Sequence, residues 1–153
     1  MSIKVRIVEL PPMKVASFHH FSDSPEETAY SKLEAWAKPR GLLKDPSKNR
    51  IFGFNNPNPS PGTPNYGYEF WLELEDDYDA GEDVEIKDIP AGKYAVTRNF
   101  GIPNVGATWK ALVEWVESSP YQFGNMECLE ENLDPMETDH EKLLMDIYIS
   151  LAE

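Results

Sequence analysis

Residues 66–75 show the clearest alternation of apolar and polar positions in the chain. The apolar positions are Tyr68, Phe70, Leu72 and Leu74, and the positions between them hold Glu69, Trp71, Glu73 and Glu75. A repeat of two residues is typical of a β-strand that turns one face to a core. The pattern therefore predicts a strand. Its second face mixes an aromatic ring with carboxylates, which suits either a water-facing surface or the floor of a polar-tipped pocket.

Two segments carry the spacing of an amphipathic helix. The first begins at Ser24, a favourable N-cap, and continues with Pro25 and Glu27 in the order of a capping box, ending near Pro39 and Gly41. The second covers residues 105–117. The predicted buried stripes are Ala29, Leu33, Trp36 and Ala37 in the first helix, and Trp109, Leu112, Val113 and Val116 in the second.

Several shorter segments read as further strands. They are residues 3–9, 13–18, 51–54, 84–98 with a bend at 90–92, 126–133 and 145–151. Because only the helices offer crossovers long enough for parallel neighbours, we expect a mainly antiparallel sheet and an α+β fold. Residues 55–65 contain four prolines and are predicted to be a loop, either a flap over a site or a disordered segment.

The chain repeats itself at an offset of 79 residues. The offset pairs Val5 with Val84 and Trp36 with Trp115, and it also places the aromatic residue Tyr30 opposite Trp109. A long period that occurs only twice indicates a duplicated fold rather than a solenoid. We therefore predict a single domain over residues 1–153, built from pseudo-repeats of about 1–77 and 78–153.

Composition and charge narrow the range of functions. The chain has 153 residues, one cysteine and a formal charge of −13, so a disulfide framework is excluded and direct nucleic-acid binding is not expected. With no membrane-length apolar run and no signal peptide before the first strand, we expect a cytoplasmic protein without membrane contact. The acidic stretches 73–85 and 127–141 are interpreted mainly as solvated faces.

No cofactor or metal constellation is apparent in the sequence. His19 and His20 are adjacent in a strand and face opposite ways, and Cys128 lacks a partner at zinc-ligand spacing. Neither a glycine-rich phosphate loop nor a nucleophile elbow is present. We expect neither metal nor cofactor, and catalysis, if any, would depend on carboxylates and aromatic hydroxyls.

Six segments together resemble one family, the GyrI-like (gyrase-inhibitor-like) small-molecule-binding domain, which is also the effector-binding module of bacterial multidrug-sensing transcription regulators. The segments are residues 10–16 (LPPMKVA), 66–71 (YGYEFW), 89–96 (IPAGKYAV), 109–115, 128–131 (CLEE) and 146–149 (DIYI). The resemblance implies tandem duplicated βαββ (SHS2-type) units that form a curved antiparallel sheet with two main helices and a central cleft.

In that family the cleft takes lipophilic, often cationic, compounds between aromatic rings and a buried carboxylate on the penultimate strand. Glu130 matches the carboxylate's position here, and a shift of register by one residue would exchange its role with Glu131. The predicted ligand-binding residues are Glu130, Tyr30, Tyr68, Glu69, Trp71, Trp109, Phe54 and Tyr148.

Some of these residues have competing interpretations. Tyr68 and Trp71 point to opposite faces of one strand, so at most one of them lines the cleft. Glu69 shares the face of Trp71; we expect it to be exposed, the alternative being a second carboxylate of the cleft. Trp36 and Trp115 are assigned to core packing rather than to ligand contact.

Three functions follow from the resemblance. The first is a stand-alone module that senses or sequesters lipophilic or cationic small molecules, with a protein partner such as a transcription regulator where regulation is needed. The second is a hydrolase of DNA-alkylating cyclopropanoid compounds in the same cleft, with Glu130 as general base. The third is an acidic inhibitor that binds DNA gyrase. We favour the binding module.

Overall fold

The structure is a computed structural model that describes residues 3–153, and it contains eight strands and two main helices in this range. The elements in chain order are β1 (Arg6–Leu10), β2 (Met13–Ser22), α1 (Pro25–Ala37), a 3-10 turn (Lys38–Arg40), β3 (Ile51–Asn55), β4 (Tyr66–Leu74), β5 (Glu85–Ile89), β6 (Gly92–Phe100), a second 3-10 turn (Ile102–Asn104), α2 (Val105–Glu117), β7 (Leu129–Asn132) and β8 (Leu144–Leu151). The α+β prediction is confirmed.

The chain divides into two compact units. The central unit is Met13–Ile89, and the terminal unit joins the chain up to Pro12 with Pro90–Glu153. The central unit pairs its strands in the order β5-β2-β4-β3, and the terminal unit in the order β1-β6-β8-β7. All of these pairs are antiparallel, as predicted.

Each unit takes one edge strand from the other sequence repeat. Strand β1 pairs with β6 from Arg6 opposite Val96 to Leu10 opposite Gly92, and β5 pairs with β2 from Glu85 opposite Ser17 to Ile89 opposite Met13. The units therefore do not coincide with contiguous halves of the sequence. The chain passes from one unit to the other next to Pro12 and Pro90.

Helix α1 packs on one face of the central sheet with the predicted stripe. Ala29, Leu33, Trp36 and Ala37 are all buried. The predicted capping box is wrong: within the described residues, the side chain of Ser24 makes no capping hydrogen bond. The ψ angle of Ser24 is 70°, outside the extended region that N-cap residues usually adopt, so its hydroxyl is not directed at the first turn. Helix α1 ends at Ala37, and the 3-10 turn that follows it ends at Gly41, which lies in the left-handed region at φ 71°.

Helix α2 packs on the terminal sheet through Thr108, Leu112 and Val116. The prediction that Val113 is buried is wrong. The buried residues follow each other at intervals of four, so Val113 lies beside this row and is 36% exposed. Thr108 can be buried because its hydroxyl donates to Asn99 Oδ1 at 2.7 Å. Among residues 3–153, neither helix has the length and apolar character needed to cross a lipid bilayer.

Candidate functional site

Each sheet has one face against its helix and one face without a helix. In the terminal sheet, Ala95, Ile147 and Ile149 pack with Leu112 and Val116 of α2. The strand register places the alternate residues on the other face. Between β7 and β8, Leu129 lies opposite Tyr148 and Glu131 lies opposite Asp146. Between β8 and β6, Tyr148 lies opposite Val96 and Asp146 lies opposite Arg98. The helix-free face of this unit is therefore rich in polar and aromatic groups.

The centre of this face is a carboxylate held by a phenol. The Tyr148 hydroxyl donates a hydrogen bond to Glu131 Oε1 at 2.5 Å. Glu131 is buried, with 5% of its surface exposed. The ring of Tyr94 meets that of Tyr148 edge-on, with centroids 5.7 Å apart and an interplanar angle of 81°. Burial raises the pKa of Tyr94, so its phenol is neutral at physiological pH. A buried carboxylate thus lies beside two tyrosine rings.

A second acid on the same face is paired with two guanidinium groups. Asp146 is buried, and its carboxylate lies 2.8 Å from Arg6 Nη2 and 2.7 Å from Arg98 Nε. Arg6 comes from β1, the edge strand contributed by the other repeat. The guanidinium groups of Arg6 and Arg98 therefore compensate the charge of Asp146, and these ion pairs link β8 to β1 and β6.

Glu130 lies on the opposite face from Glu131. Its carboxylate accepts a hydrogen bond from Trp109 Nε1 of α2 at 3.0 Å, and both residues are partly exposed. The structure thus brings together two of the predicted site residues, but it places them between α2 and the sheet. Tyr148, also predicted, lies with Glu131 instead.

The central unit buries a carboxylate on its own helix-free face. Glu69 is 2% exposed, so the expectation that it is exposed is wrong. The reason is the number of donors that converge on it: Ser17 Oγ at 2.8 Å, Asn56 Nδ2 at 3.0 Å, Trp71 Nε1 at 2.6 Å and Lys87 Nζ at 2.7 Å. Although burial alone would raise the pKa of Glu69, these four hydrogen bonds hold it below its ordinary value.

Aromatic rings border Glu69 as well. Phe54 and Trp71 lie on the same face, with ring centroids 4.6 Å apart and an interplanar angle of 65°. The structure therefore brings three predicted residues, Phe54, Glu69 and Trp71, into one cluster.

Tyr30 and Tyr68 form a separate cluster on the helix side of the central sheet. Both contact Phe70, with ring centroids at 5.3 Å for Tyr30 and 4.9 Å for Tyr68. Burial raises the pKa of Tyr30 to about 12. As predicted, Tyr68 and Trp71 face opposite ways, so these two rings do not contribute to one surface of the sheet.

The loop after β3 is attached to the Glu69 cluster at its first residues. The side chain of Asn56 bonds Glu69, and its backbone makes two further contacts. The backbone carbonyl oxygen of Asn56 lies 2.6 Å from His19 Nε2, and the backbone N–H of Asn56 donates to Gly67 O at 2.8 Å. Gly67 N–H in turn donates to Pro57 O at 3.0 Å. Nothing but glycine fits at position 67, since a Cβ there would overlap the carbonyl of Asn56.

Sequence reasoning did not identify Tyr94, Lys87 and Asn56 as members of these clusters. Tyr94 could have been placed from the alternation of β6, because the register of β6 with β8 puts Tyr94 on the same face as Tyr148. Lys87 and Asn56 approach Glu69 from 18 and 13 residues away, and no local pattern marks them. Within residues 3–153, no group of three or more His, Cys, Asp or Glu side chains is placed to hold a metal ion.

Comparison with known proteins gives one family match. The family model described as "GyrI-like small molecule binding domain" matches residues 3–152. None of the curated proteins matches the chain in sequence.

Several solved structures share the fold. The crystal structure of the EcmrR C-terminal domain is 18% identical with a TM-score of 0.72, and the match covers all of this chain and 99% of that one. The EcmrR chain in the cryo-EM structure of an EcmrR–DNA complex is also 18% identical, with a TM-score of 0.71. That match covers 99% of this chain but only 58% of the longer EcmrR chain.

Two other matches are informative about the range of the fold. A hydrolase from Listeria innocua is 13% identical with a TM-score of 0.69, covering 97% of this chain and 92% of that one. The structure of SAV2435 bound to tetraphenylphosphonium is 11% identical with a TM-score of 0.58, and the match covers 99% of this chain and 94% of SAV2435.

Proposed function

Because the chain belongs to the GyrI-like small-molecule-binding family, we propose that it binds lipophilic organic cations at Glu131, with the rings of Tyr148 and Tyr94 as its aromatic contacts. The observation that carries this proposal is the position of Glu131. It is 5% exposed and accepts the Tyr148 hydrogen bond at 2.5 Å, on the sheet face that has no helix. Glu130, which the sequence favoured, lies on the helix side with Trp109.

The physical argument concerns the cost of a buried charge. Removing a carboxylate from water costs it part of its hydration. A ligand cation adds a favourable charge interaction there, and nearby aromatic rings add about 0.5–2 kcal/mol each when the contact is desolvated. Such a site selects positive charge and flat apolar surface more than detailed shape. Among the structural relatives, SAV2435 is bound to tetraphenylphosphonium, a compound of this class.

The biological role we propose is sensing or sequestration of such compounds. The fold is shared with the C-terminal domain of EcmrR, a protein whose structure has been determined with DNA. A formal charge of −13 disfavours direct contact of these residues with nucleic acid, and for a regulatory role we propose that they act through contact with another protein domain.

The experiment that tests binding uses two fluorescent dyes of similar ring system and opposite charge. Fluorescence anisotropy of rhodamine 6G should rise on titration with the protein, with a Kd on the order of micromolar. Fluorescein, an anion, should not bind, and unlabelled tetraphenylphosphonium should displace rhodamine 6G. Equal binding of both dyes, or of neither, would refute a cation site.

Hydrolysis at the same carboxylate is the second candidate function. It is supported by the fold shared with the Listeria innocua hydrolase and by the position of Glu131, a buried carboxylate on the helix-free face that could serve as a general base. With a cyclopropane-containing alkylating compound, water would add to a ring carbon while the strained C–C bond breaks. Mass spectrometry would then show a product heavier by one water, absent with Glu131→Gln; recovery of unchanged compound would leave binding as the function.

A further inference from the structure

Strand β5 (Glu85–Ile89) lies at an edge of the central sheet. It pairs with β2 on one side, and within residues 3–153 no second strand pairs with it on the other. The backbone N–H and C=O groups along that outer side form a row to which a strand of another chain can pair. Because proteins often block such an edge with charged side chains, the charges of β5 decide whether it pairs and with what.

The charges of β5 alternate along the strand and remain accessible. Its register with β2 puts Glu85 and Lys87 on the helix-free face and Ile86 on the face covered by α1. The Glu85 side chain is 66% exposed, and Ile86 is 36% exposed. The Lys87 ammonium donates to Glu69 at 2.7 Å and, with three hydrogens, can bond a further carboxylate as well.

A second copy of β5 fits these charges in one register. In an antiparallel pair related by a twofold axis, one residue lies opposite its own copy and its neighbours pair crosswise. With Ile86 at the axis, Glu85 lies opposite Lys87 of the second copy, and Lys87 lies opposite Glu85. Unlike charges directly opposite each other stabilise a strand pair, and the two isoleucines add an apolar contact at its centre.

The other symmetric registers of β5 are disfavoured. An axis at Glu85, Lys87 or Asp88 places that residue opposite its own copy, and like charges directly opposite each other are destabilising. An axis at Ile89 brings Pro90 into the pair, and proline has no N–H to donate. The charges of this edge therefore exclude the alternatives and leave the register centred on Ile86.

Strand β1 (Arg6–Leu10), the edge strand of the terminal unit, lacks this complementarity. Ile7 lies 79 residues before Ile86 and is 38% exposed, so the two edges resemble each other in their apolar residue. With Ile7 at the axis, however, Arg6 lies opposite Val8, and no symmetric register of β1 places unlike charges opposite each other. The edge β1 is therefore the internal control for β5.

We propose that two copies of this chain associate through β5, antiparallel and with Ile86 at the twofold axis. The inference does not rest on the proposed function, because it uses none of the residues of the Glu131 site. A contact limited to one five-residue strand is smaller than a standard interface of about 1,600 Å². The dimer is therefore transient, with a Kd on the order of 10–100 μM.

Analytical ultracentrifugation of the full chain at physiological ionic strength, over protein concentrations that span this Kd, measures the association. Glu85→Lys places an ammonium opposite that of Lys87 and should raise the Kd at least about tenfold. Glu117→Lys, which makes the same change of charge at an exposed position on α2, should leave the Kd unchanged or lower it, because it reduces the repulsion between two acidic chains. A monomer at every concentration, or equal effects of the two variants, would overturn the proposal.

A second pair of variants separates the two edges. Ile86→Lys and Ile7→Lys make the same substitution at positions related by the repeat, and only Ile86→Lys brings two ammonium groups together at the proposed axis. Ile86→Lys should raise the Kd at least about tenfold, and Ile7→Lys should change it by less than about twofold. Equal losses would show that β1 takes part and would refute a symmetric contact through β5.

Hydrogen–deuterium exchange of the wild-type chain keeps the test valid if a variant does not fold. Pairing of β5 with a second copy protects backbone amides along its outer side. Exchange in peptides that cover residues 84–89 should therefore slow several-fold as the protein concentration rises through the Kd, whereas exchange in residues 5–10 should not change. Exchange of residues 84–89 that is independent of concentration would contradict the proposal.

Discussion

Glu130 and Glu131 are neighbours in β7, yet their carboxylates lie on opposite faces of the terminal sheet. Glu131 accepts the hydroxyl of Tyr148 at 2.5 Å on the helix-free face, and Glu130 accepts the indole N–H of Trp109 at 3.0 Å on the face covered by α2. One residue is buried and the other is partly exposed. The alternation of a strand has thus given two identical side chains different environments and, we propose, different roles.

Removing the Tyr148 hydroxyl should destabilise the fold. Tyr148→Phe deprives the buried Glu131 of one strong donor, at a cost of about 1–3 kcal/mol in the free energy of unfolding. Urea denaturation measures this cost. Tyr121→Phe is the control, because Tyr121 is half-buried and its ring stacks on Trp115, and it should change the free energy by less than about 0.5 kcal/mol. Equal effects of the two changes would argue against a structural hydrogen bond at Glu131.

Glu69 should make the stability depend on pH in the acid range. Its pKa in the folded chain lies below the ordinary value of 4.5, so its contribution is complete above that value and is lost as the pH falls through the folded pKa. Urea unfolding of wild type and Glu69→Gln should show a large difference at pH 7 that narrows as the pH falls below 4.5. Glu85→Gln, at an exposed position, is the control and should change the free energy of unfolding much less at pH 7. A constant difference for Glu69→Gln would contradict the account.

Arg6 and Arg98 should act cooperatively on Asp146. Each guanidinium is more than half exposed, so loss of either one alone leaves the buried carboxylate with the other and has a small effect. Loss of both leaves a buried charge without these two partners. The double variant Arg6→Gln/Arg98→Gln should therefore lose more stability than the sum of the single variants, with a coupling of about 1 kcal/mol. Additivity within about 0.3 kcal/mol would show that the two groups act independently.

Two glycines should respond in opposite ways to replacement by alanine. A Cβ on Gly67 would overlap the Asn56 carbonyl, so Gly67→Ala must displace the start of the loop and should cost more than about 2 kcal/mol. Gly106 lies in α2 with nothing within 4 Å of its would-be Cβ, and Gly106→Ala should stabilise the protein by about 0.5–1 kcal/mol. Thermal denaturation of both variants checks the pair; a neutral Gly67→Ala would mean that the loop is not held against β4.

The local patterns predicted most of the elements because each depends on the spacing of nearby residues. The alternation over residues 66–75 is realised as β4 (Tyr66–Leu74), and the helical spacing over 105–117 as α2. Val113 was predicted to be buried and Thr108 was not predicted, since a hydrophobic pattern cannot show that a threonine hydroxyl has a partner such as Asn99.

The candidate site was less predictable, because it depends on register and on distant donors. A one-residue uncertainty in β7 is enough to exchange Glu130 with Glu131, and the strand is only four residues long. Glu69 reads as an exposed acid in its own strand, and its burial depends on Ser17, Asn56 and Lys87, which come from three other parts of the chain. Only the folded structure shows that these donors converge.

The most direct test of the central claim compares Glu131→Gln with Glu130→Gln in binding rhodamine 6G by fluorescence anisotropy. The two variants make the same chemical change at adjacent positions, so each is the control for the other. The account predicts that Glu131→Gln raises the Kd at least about tenfold while Glu130→Gln changes it by less than about twofold. The opposite order, or equal effects, would contradict the assignment of Glu131 as the carboxylate that binds the cation.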